Sequence, residues 1–292
     1  HPHFPTNPIP TLPPDTSPSQ TPREPAAMAA VVVALLPLFA IRCGSVPLIP
    51  PTETQYGVMI DAGSSGSRAH LFQWKTRRVS ILPPPLSVPL TDVAWTEKVT
   101  PGISAYWQYP KSVESVLSVL IVWIKNKLSH VRKYWPYYPI YLKATAGLRE
   151  LPGSARSSLI KVIREFLANN ETCPFYFDEV EAARTISGEE EAAYAWTAIN
   201  YATGALLQYS WGSGTARPKH AFGSLELGGA SAQMAFFDPD QDVLANLFKV
   251  QVGSQRHWNI YAHSFLHYGH NSARRRMWGA LAERAGCFKQ GS

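Results

Sequence analysis

The sequence predicts an α/β protein made of two lobes that face each other across a cleft. The first observation is that strand-like apolar runs alternate with amphipathic helical segments in the first half of the chain, which is the pattern of a layered α/β fold. The second is that a strand–glycine loop–strand unit occurs twice, around 61–67 and around 226–231. A unit repeated at domain spacing indicates two related lobes.

The first copy of this unit lies near the start of the predicted folded region. A short apolar run at 56–60 predicts a buried strand, and residues 68–74 predict a second strand. The segment 61–67 between them is rich in glycine and serine, as expected for a hairpin loop. This copy therefore predicts two strands joined by a loop that brings its backbone close to whatever it faces.

The elements between the two copies follow from apolar periodicity. Apolar residues at helical spacing predict helices over 112–133, 154–169 and 189–201. Shorter apolar runs predict strands over 138–145 and 175–177. This alternation places helices against the strands of the first lobe.

The lobe boundary is predicted at 208–219, which is rich in glycine and serine and contains a proline. The first lobe then covers 56–207, and 220–292 is the start of a second lobe. In that second lobe the repeated unit predicts strands over 221–225 and 232–237.

The N-terminal part of the chain has a different composition. Residues 1–25 contain nine prolines and few apolar side chains, so we expect them to be disordered. The run 26–41 is uncharged and is closed by Arg42. It is short for a membrane-spanning helix and suits a signal peptide or a short anchor. A buried helix is the alternative, but flanking proline-rich segments favour 26–42 as a secretory signal or membrane anchor.

The charge of the chain gives little indication of a polyanionic partner. The net charge is +6, and half of it comes from Arg274, Arg275 and Arg276, which fit a solvated helix face. Basic residues do not alternate with aromatic ones in a stripe, so we do not expect a nucleic acid as partner.

The cysteines and one sequon bear on the compartment. Cys43, Cys173 and Cys287 lie too far apart for a zinc motif. One disulfide with one free thiol, or three free thiols, are both compatible with this spacing. Residues 170–172 form an N-glycosylation sequon, which fits a glycoprotein of the secretory pathway.

The repeated glycine loops have the composition that phosphate binding requires. Glycines allow the backbone N–H groups to approach an anion closely. In the first loop, Ser64, Ser65 and Ser67 add hydroxyl donors and Arg68 adds a positive charge. A single loop of this kind is usually only a turn, but the second copy at 226–231 favours a phosphate site.

Acidic residues accompany both loops. Asp61 and Glu226 each end a strand just before a loop, where a buried carboxylate needs a cation or hydrogen-bond donors. Together they suit a hydrated Mg²⁺ or Ca²⁺, although each could simply cap its own loop. Glu189, Glu190 and Glu191 open a predicted helix, where acids favour the dipole. One of the three can also point into the cleft and act as a base.

Four ordered segments resemble the conserved regions of the apyrases, the ecto-nucleoside triphosphate diphosphohydrolases. They are 61–68, 143–149, 187–201 and 225–233, and 261–269 is similar to the entry into that family's second lobe. The resemblance implies an actin-like (ribonuclease H-like) fold of two lobes, with the first lobe complete and the second partial. It also implies hydrolysis of terminal phosphates of nucleoside tri- or diphosphates, assisted by Ca²⁺ or Mg²⁺.

The resemblance also implies roles for individual residues. Glu191 would be the general base, and Ser231 and Gln233 would lie beside the attacking water. Asp61 and Glu226 would hold the metal ion through water. The phosphate-binding residues would be Ser64, Ser65, Gly66, Ser67, Arg68, Thr145, Gly228, Gly229 and Ala230.

Three positions depart from the family pattern. The family usually has Asp in place of Glu226 and Gly in place of Ala192. Many surface members have a cysteine in place of His267, paired with one resembling Cys287, so its absence favours the Golgi-type or lysosomal branch. The family's fifth region would lie beyond Ser292, so we expect the chain to be incomplete.

Two other functions remain open from the sequence. An exopolyphosphatase uses a similar pair of glycine loops, although the segment containing Trp196, Asn200 and Tyr201 favours the apyrase. A nucleotide-binding fragment without turnover is the second alternative, supported by the departures at Glu226 and Ala192. We expect nucleoside tri- or diphosphates as partners, and a location in the secretory lumen, at its membranes, at the cell surface or outside the cell.

Overall fold

Two β-sheets and the helices packed on them form the described part of the chain. The computed structural model describes residues 52–76, 89–206, 221–238, 246–251 and 257–286. Strands and helices alternate through the first of the two sheets and continue into the second, which confirms the α/β class.

The first sheet is mixed and has five strands. They are β1 (Thr54–Ala62), β2 (Ser67–Lys75), β3 (Thr96–Val99), β4 (Ile140–Ala144) and β5 (Ala183–Thr185). Their order is β3-β2-β1-β4-β5. The pairs β1–β2 and β2–β3 are antiparallel, and β1–β4 and β4–β5 are parallel. The predicted hairpin β1–β2 therefore lies at the centre of this sheet.

Two long helices cover one face of the first sheet. Helix α1 (Val113–Lys127) buries six apolar residues at the spacing predicted for a helix face, and α3 (Gly153–Ala168) buries five. Against them lie strand residues such as Val58, Ile60 and Leu142, which have no exposed surface. The short helix α2 (Ala146–Arg149) follows β4 directly and positions two residues of the candidate site.

The second sheet is antiparallel and has four strands. They are β6 (Ser224–Leu227), β7 (Ser231–Phe237), β8 (Leu247–Gln251) and β9 (His257–Leu266), in the order β6-β7-β9-β8. Helix α4 (Gly188–Ala202) packs on one face of this second sheet, and not on the first sheet as expected from the sequence. There Trp196 is fully buried and lies beside Trp258, with ring centroids 5.8 Å apart. Helix α5 (His270–Arg284) follows β9.

The start of α4 is fixed by a capping box. The Ser187 hydroxyl accepts a hydrogen bond from the Glu190 backbone N–H at 3.0 Å, and the Glu190 carboxylate accepts one from the Ser187 N–H at 2.9 Å. Reciprocal bonds of this kind satisfy two backbone donors that have no partner inside the helix. The direction in which the first turn of α4 presents its acidic side chains is set by this cap.

Two of the predicted elements are wrong in part. The helix predicted over 112–133 ends at Lys127, and Ser129–Tyr137 forms a 3₁₀ helix that contains Pro136, which has no N–H to continue an α-helix. The strand predicted over 175–177 is only a single bridge at Tyr176. The fifth strand is β5, whose three residues include the charged Arg184 and give no clear apolar pattern.

Several features lie on the surface as the sequence predicts. Arg274, Arg275 and Arg276 are exposed on α5, and Asn170 lies exposed in the turn after α3. Cys173 is free and buried, and burial raises the pKa of its thiol to about 11.

Some predictions fall on other parts of the chain. The segments 1–42 and 208–219, together with Cys43 and Cys287, lie outside the described residues. Within the described residues, no helix has the length and apolar character needed to span a bilayer.

The capping box gives a prediction about stability. We expect Ser187→Ala to lower the free energy of unfolding by about 1 kcal/mol, because the Glu190 N–H then loses its acceptor. Ser112→Ala is the matched control, since Ser112 caps α1 without a side-chain hydrogen bond. Urea denaturation measures both variants, and equal losses of stability would contradict the importance of the cap.

Candidate active site

The two glycine loops lie against each other, one from each sheet. The loop between β1 and β2 contributes Ser64, whose hydroxyl lies so close to Gly229 that a side chain at 229 would collide with it. Gly147 of α2 is equally constrained, because a Cβ there would lie 2.7 Å from Ser64 Cα. The predicted repeat thus brings both loops and the start of α2 to one place.

Three carboxylates are electrostatically coupled around these loops. Burial raises the pKa of Glu226 to about 8, with further contributions from Glu191 and Asp61. Burial also raises the pKa of Asp61 to about 6, against the lowering effect of Arg68. The pKa of Glu191 is raised by burial and by Asp61, and the neighbouring Arg149 opposes this. The site therefore brings together three acidic side chains from β1, α4 and β6.

Arg149 is the cation that connects these elements. Its Nη2 lies 2.8 Å from Glu191 Oε2 and donates to Ser231 Oγ at 3.2 Å. Its Nη1 donates to the Ile186 carbonyl at 3.2 Å. The side chains of Arg149 and Glu191 are only 12% and 15% exposed. Arg149 on α2 thus contacts the first turn of α4 and strand β7 of the second sheet.

Gln233 completes this group from β7. Its Nε2 donates to Glu191 Oε2 at 3.2 Å and to Ser264 Oγ at 3.3 Å, and it also contacts Ser231 Oγ. Its Oε1 is buried and has no hydrogen-bond partner among the described residues. A buried acceptor without a donor is costly, so this oxygen suits a bound water or ligand.

Glu190, a neighbouring acid of the same helix start, has different surroundings. Glu190 forms a bidentate pair with Arg184, at 2.9 and 2.6 Å, in addition to its place in the capping box. Burial acts to raise the pKa of Glu190, but the bonds from Arg184 and Ser187 outweigh it and lower the pKa. Of Glu190 and Glu191, it is Glu191 that contacts Arg149 and Gln233.

The predicted phosphate-binding residues lie in the two glycine loops and in the turn after β4. Arg68 lies opposite Asp61 in the register of β1 and β2. Ser67 is buried, and its hydroxyl has no hydrogen-bond partner among the described residues. Ser65 is exposed, and Gly66 is buried. Thr145 lies between β4 and α2, with its N–H on the Ala62 carbonyl at 3.2 Å. In the second loop, the carbonyls of Gly228, Gly229 and Ala230 accept hydrogen bonds from the β9–α5 corner.

Sequence reasoning did not assign a role to Arg149, although it ends the segment 143–149. The sequence carries no clear signal for this role, because an arginine in the last turn of a helix is favoured by the helix dipole alone. Its partners come from 186, 191 and 231, which only the folded chain brings together.

This geometry defines a two-lobed α/β protein whose glycine loops, carboxylates and one bridging arginine meet in a cleft. The chain belongs to the GDA1/CD39 (nucleoside phosphatase) family, whose model matches residues 48–286. The family expected from the four segments is thereby confirmed.

Relatives extend well beyond the matched region. The chain is 32% identical over 251 residues to a protein named Golgi apyrase from Saccharomyces cerevisiae, covering 78% of this chain and 38% of that protein. It is 33% identical over 240 residues to ectonucleoside triphosphate diphosphohydrolase 5 from Gallus gallus, covering 80% and 51%. The chain thus spans about half the length, or less, of these relatives.

A solved structure of nucleoside triphosphate hydrolases from Neospora caninum is similar in fold. The TM-score is 0.57 at 20% identity, with 82% of this chain and 49% of that chain covered. The predicted actin-like (ribonuclease H-like) fold of two lobes is confirmed.

The raised pKa of Glu226 gives a prediction about pH. An unfolded Glu226 loses its proton near 4.5 and the folded one near 8, so the folded chain binds an extra proton between these values. Stability therefore falls as pH rises through this window. We expect Glu226→Gln to remove up to about 5 kcal/mol of that fall, since glutamine does not titrate.

Measurement of the free energy of unfolding between pH 4.5 and pH 8 tests this. The control is Glu165→Gln, whose side chain is 61% exposed on α3 and should leave the slope unchanged. A Glu226→Gln slope equal to that of the unmodified chain would contradict the raised pKa of Glu226.

Proposed function

We propose that this chain hydrolyses the terminal phosphate of nucleoside tri- and diphosphates, with Glu191 as the general base. The observation that carries the proposal is the buried group in which Arg149 holds Glu191 and Ser231 together beside Gln233. This group lies where two glycine loops from different lobes meet. The names of the relatives, an apyrase and a nucleoside triphosphate diphosphohydrolase, support the same substrate class.

The two loops would bind the phosphates. Their composition offers backbone N–H groups, and Ser64, Ser65 and Thr145 add hydroxyl donors, while Arg68 adds positive charge. Ser64 lies against Gly229, so the two loops meet at one place, which supports a phosphate site shared by both lobes. Positioning and charge neutralisation do most of the work in phosphoryl transfer, and this site is suited to both.

The chemical step would be an attack by water on the terminal phosphorus. The unpaired Oε1 of Gln233 accepts one hydrogen bond from this water, and Glu191 takes the other proton as the oxygen–phosphorus bond forms. The bond from phosphorus to the bridging oxygen breaks, and the shortened nucleotide leaves. Burial raises the pKa of Glu191 above its ordinary value, against the lowering effect of Arg149, and a raised pKa makes a carboxylate a stronger general base.

Asp61 and Glu226 would hold a divalent cation through water. Their mutual coupling, together with Glu191, leaves negative charge that a cation would offset. Within the described residues no three acidic, histidine or cysteine side chains stand close enough to ligate a metal directly. Bound Ca²⁺ or Mg²⁺ would neutralise charge on the phosphates. The extra methylene of Glu226, relative to aspartate, would affect Mg²⁺ more, because its octahedron tolerates little distortion.

A second candidate is nucleotide binding without turnover. The glutamate at 226 supports it, because its pKa of about 8 leaves this carboxyl mostly protonated at neutral pH. A protonated Glu226 holds a cation less well than an ionised aspartate. Calorimetry with a non-hydrolysable nucleotide, beside a phosphate-release assay, separates binding alone from hydrolysis.

The base assignment gives the central prediction. We expect Glu191→Gln to keep nucleotide binding and to lower kcat by about 10²–10⁴-fold, because glutamine cannot take the proton from water. Glu189→Gln is the control, since it removes a charge from the same helix turn and should stay within about tenfold. Phosphate release and nucleotide affinity are measured for both variants.

Two outcomes would count against this scheme. If Glu191→Gln turns over like Glu189→Gln, the base lies elsewhere. If the unmodified chain binds nucleotide but releases no phosphate, the second candidate holds.

We further propose that the chain acts in the lumen or at the membrane of the secretory pathway. The relative named Golgi apyrase supports this location. The sequon also supports it, because Asn170 is exposed in a turn and can carry a glycan without disturbing the core.

The location gives a prediction that needs no enzymatic assay. Expression in eukaryotic cells should yield a glycan on Asn170, seen as a shift in electrophoretic mobility on deglycosylation. Asn170→Gln should abolish the shift, and Asn169→Gln, outside the sequon, should keep it. A product without glycan that also stays in the cytosol would contradict the proposed location.

A further inference from the structure

Glu150 forms a contact between the lobes that the reaction scheme does not use. Its Oε1 lies 3.1 Å from His267 Nδ1 and accepts a hydrogen bond from Ser272 Oγ at 3.0 Å. Its Oε2 lies 3.6 Å from Arg275 Nη2. The carboxylate is 22% exposed. We call Glu150 with His267, Ser272 and Arg275 the Glu150 clamp.

The second-lobe members of the clamp also hold the second glycine loop. The His267 N–H donates to the Ala230 carbonyl at 2.8 Å, and the Ser272 N–H donates to the Gly229 carbonyl at 3.2 Å. Between them, the N–H groups of His270 and Asn271 donate to Gly228 and Gly229, each at 2.9 Å. Glu150 therefore contacts the side chains of the same β9–α5 corner whose backbone N–H groups hold the loop 228–230.

The first-lobe side of the clamp is equally close to the site. Glu150 directly follows Arg149, which holds Glu191 and Ser231. Gly147, in the same short helix, packs against Ser64 of the first glycine loop. Within the four residues 147–150, the chain thus contacts the first loop, the proposed base and the β9–α5 corner that holds the second loop.

We propose that Glu150 is a positioning residue that fixes the second glycine loop against α2 and so sets the separation of the two loops. It acts through His267 and Ser272 and touches no reacting atom. Phosphate binding by the loops rests on the proposed function. The contacts by which Glu150 holds the second loop do not depend on it.

Neutralising Glu150 tests this hold without nucleotide. Glu150→Gln keeps the shape but removes the charge, and we expect the amides of His270, Asn271 and Ser272 to exchange hydrogen about tenfold faster. Amides of β1 and β2 should change by less than about twofold. Hydrogen exchange followed by mass spectrometry measures both regions. Glu165→Gln, exposed on α3, should change neither region.

A second variant separates the clamp from a general loss of stability. Ser272→Ala should give the same local increase, and the double variant should exceed Glu150→Gln by little, because both remove one interaction. Faster exchange throughout both sheets, or additive effects of the two substitutions, would overturn the proposal. So would unchanged exchange at 270–272.

Kinetics distinguish positioning from a purely structural role. We expect Glu150→Gln to lower kcat about tenfold with KM changed by less than about threefold, because Ser231 and Gln233 move relative to Glu191. A tenfold loss of kcat in Glu150→Gln with unchanged exchange at 270–272 would refute the clamp. If the unmodified chain shows no hydrolysis, the proposed function fails, and the exchange results still decide the role of Glu150.

Discussion

The ion pair between Arg149 and Glu191 is the interaction on which the rest of the site depends. The arginine comes from the first lobe, and the glutamate opens the helix that packs on the second sheet. At 2.8 Å and almost fully shielded from water, this pair is strongly coupled, and loss of either partner leaves an uncompensated buried charge. Ser231 accepts a hydrogen bond from Arg149, and Gln233 donates one to Glu191. The same ion pair therefore joins the two lobes and positions the residues of the proposed chemistry.

Three carboxyl groups share two arginines, Arg68 and Arg149, and this imbalance shapes the electrostatics of the cleft. Burial raises the pKa of Asp61 against the lowering effect of Arg68. Burial, with Glu191 and Asp61 nearby, raises the pKa of Glu226 against the lowering effect of Arg149. Such a site is costly when empty. A bound cation or a shared proton relieves the repulsion, so the same residues that destabilise the folded chain at high pH would favour a charged ligand.

Much of the fold could be predicted from the sequence, and the reasons differ between elements. The regular apolar spacing of α1 and α3 and the repeat around Asp61 and Glu226 are local patterns, and they predicted helices, hairpins and two lobes. Strand β5 was missed because three residues carry too little pattern, and its place is decided by pairing with β4. Arg149 shows the limit at the site, since its role depends on partners more than 35 residues away along the chain. Short-range periodicity does not report such contacts.

The brevity of α2 has a consequence for how this region can vary in length. Successive helical residues point about 100° apart, and the positions 147, 149 and 150 must face three different groups at once. An insertion or deletion of one residue between β4 and Glu150 would turn these contacts away together. The turn around Asn170, by contrast, lies exposed at the end of α3. Length variation among related chains should therefore be tolerated at that turn and excluded from α2.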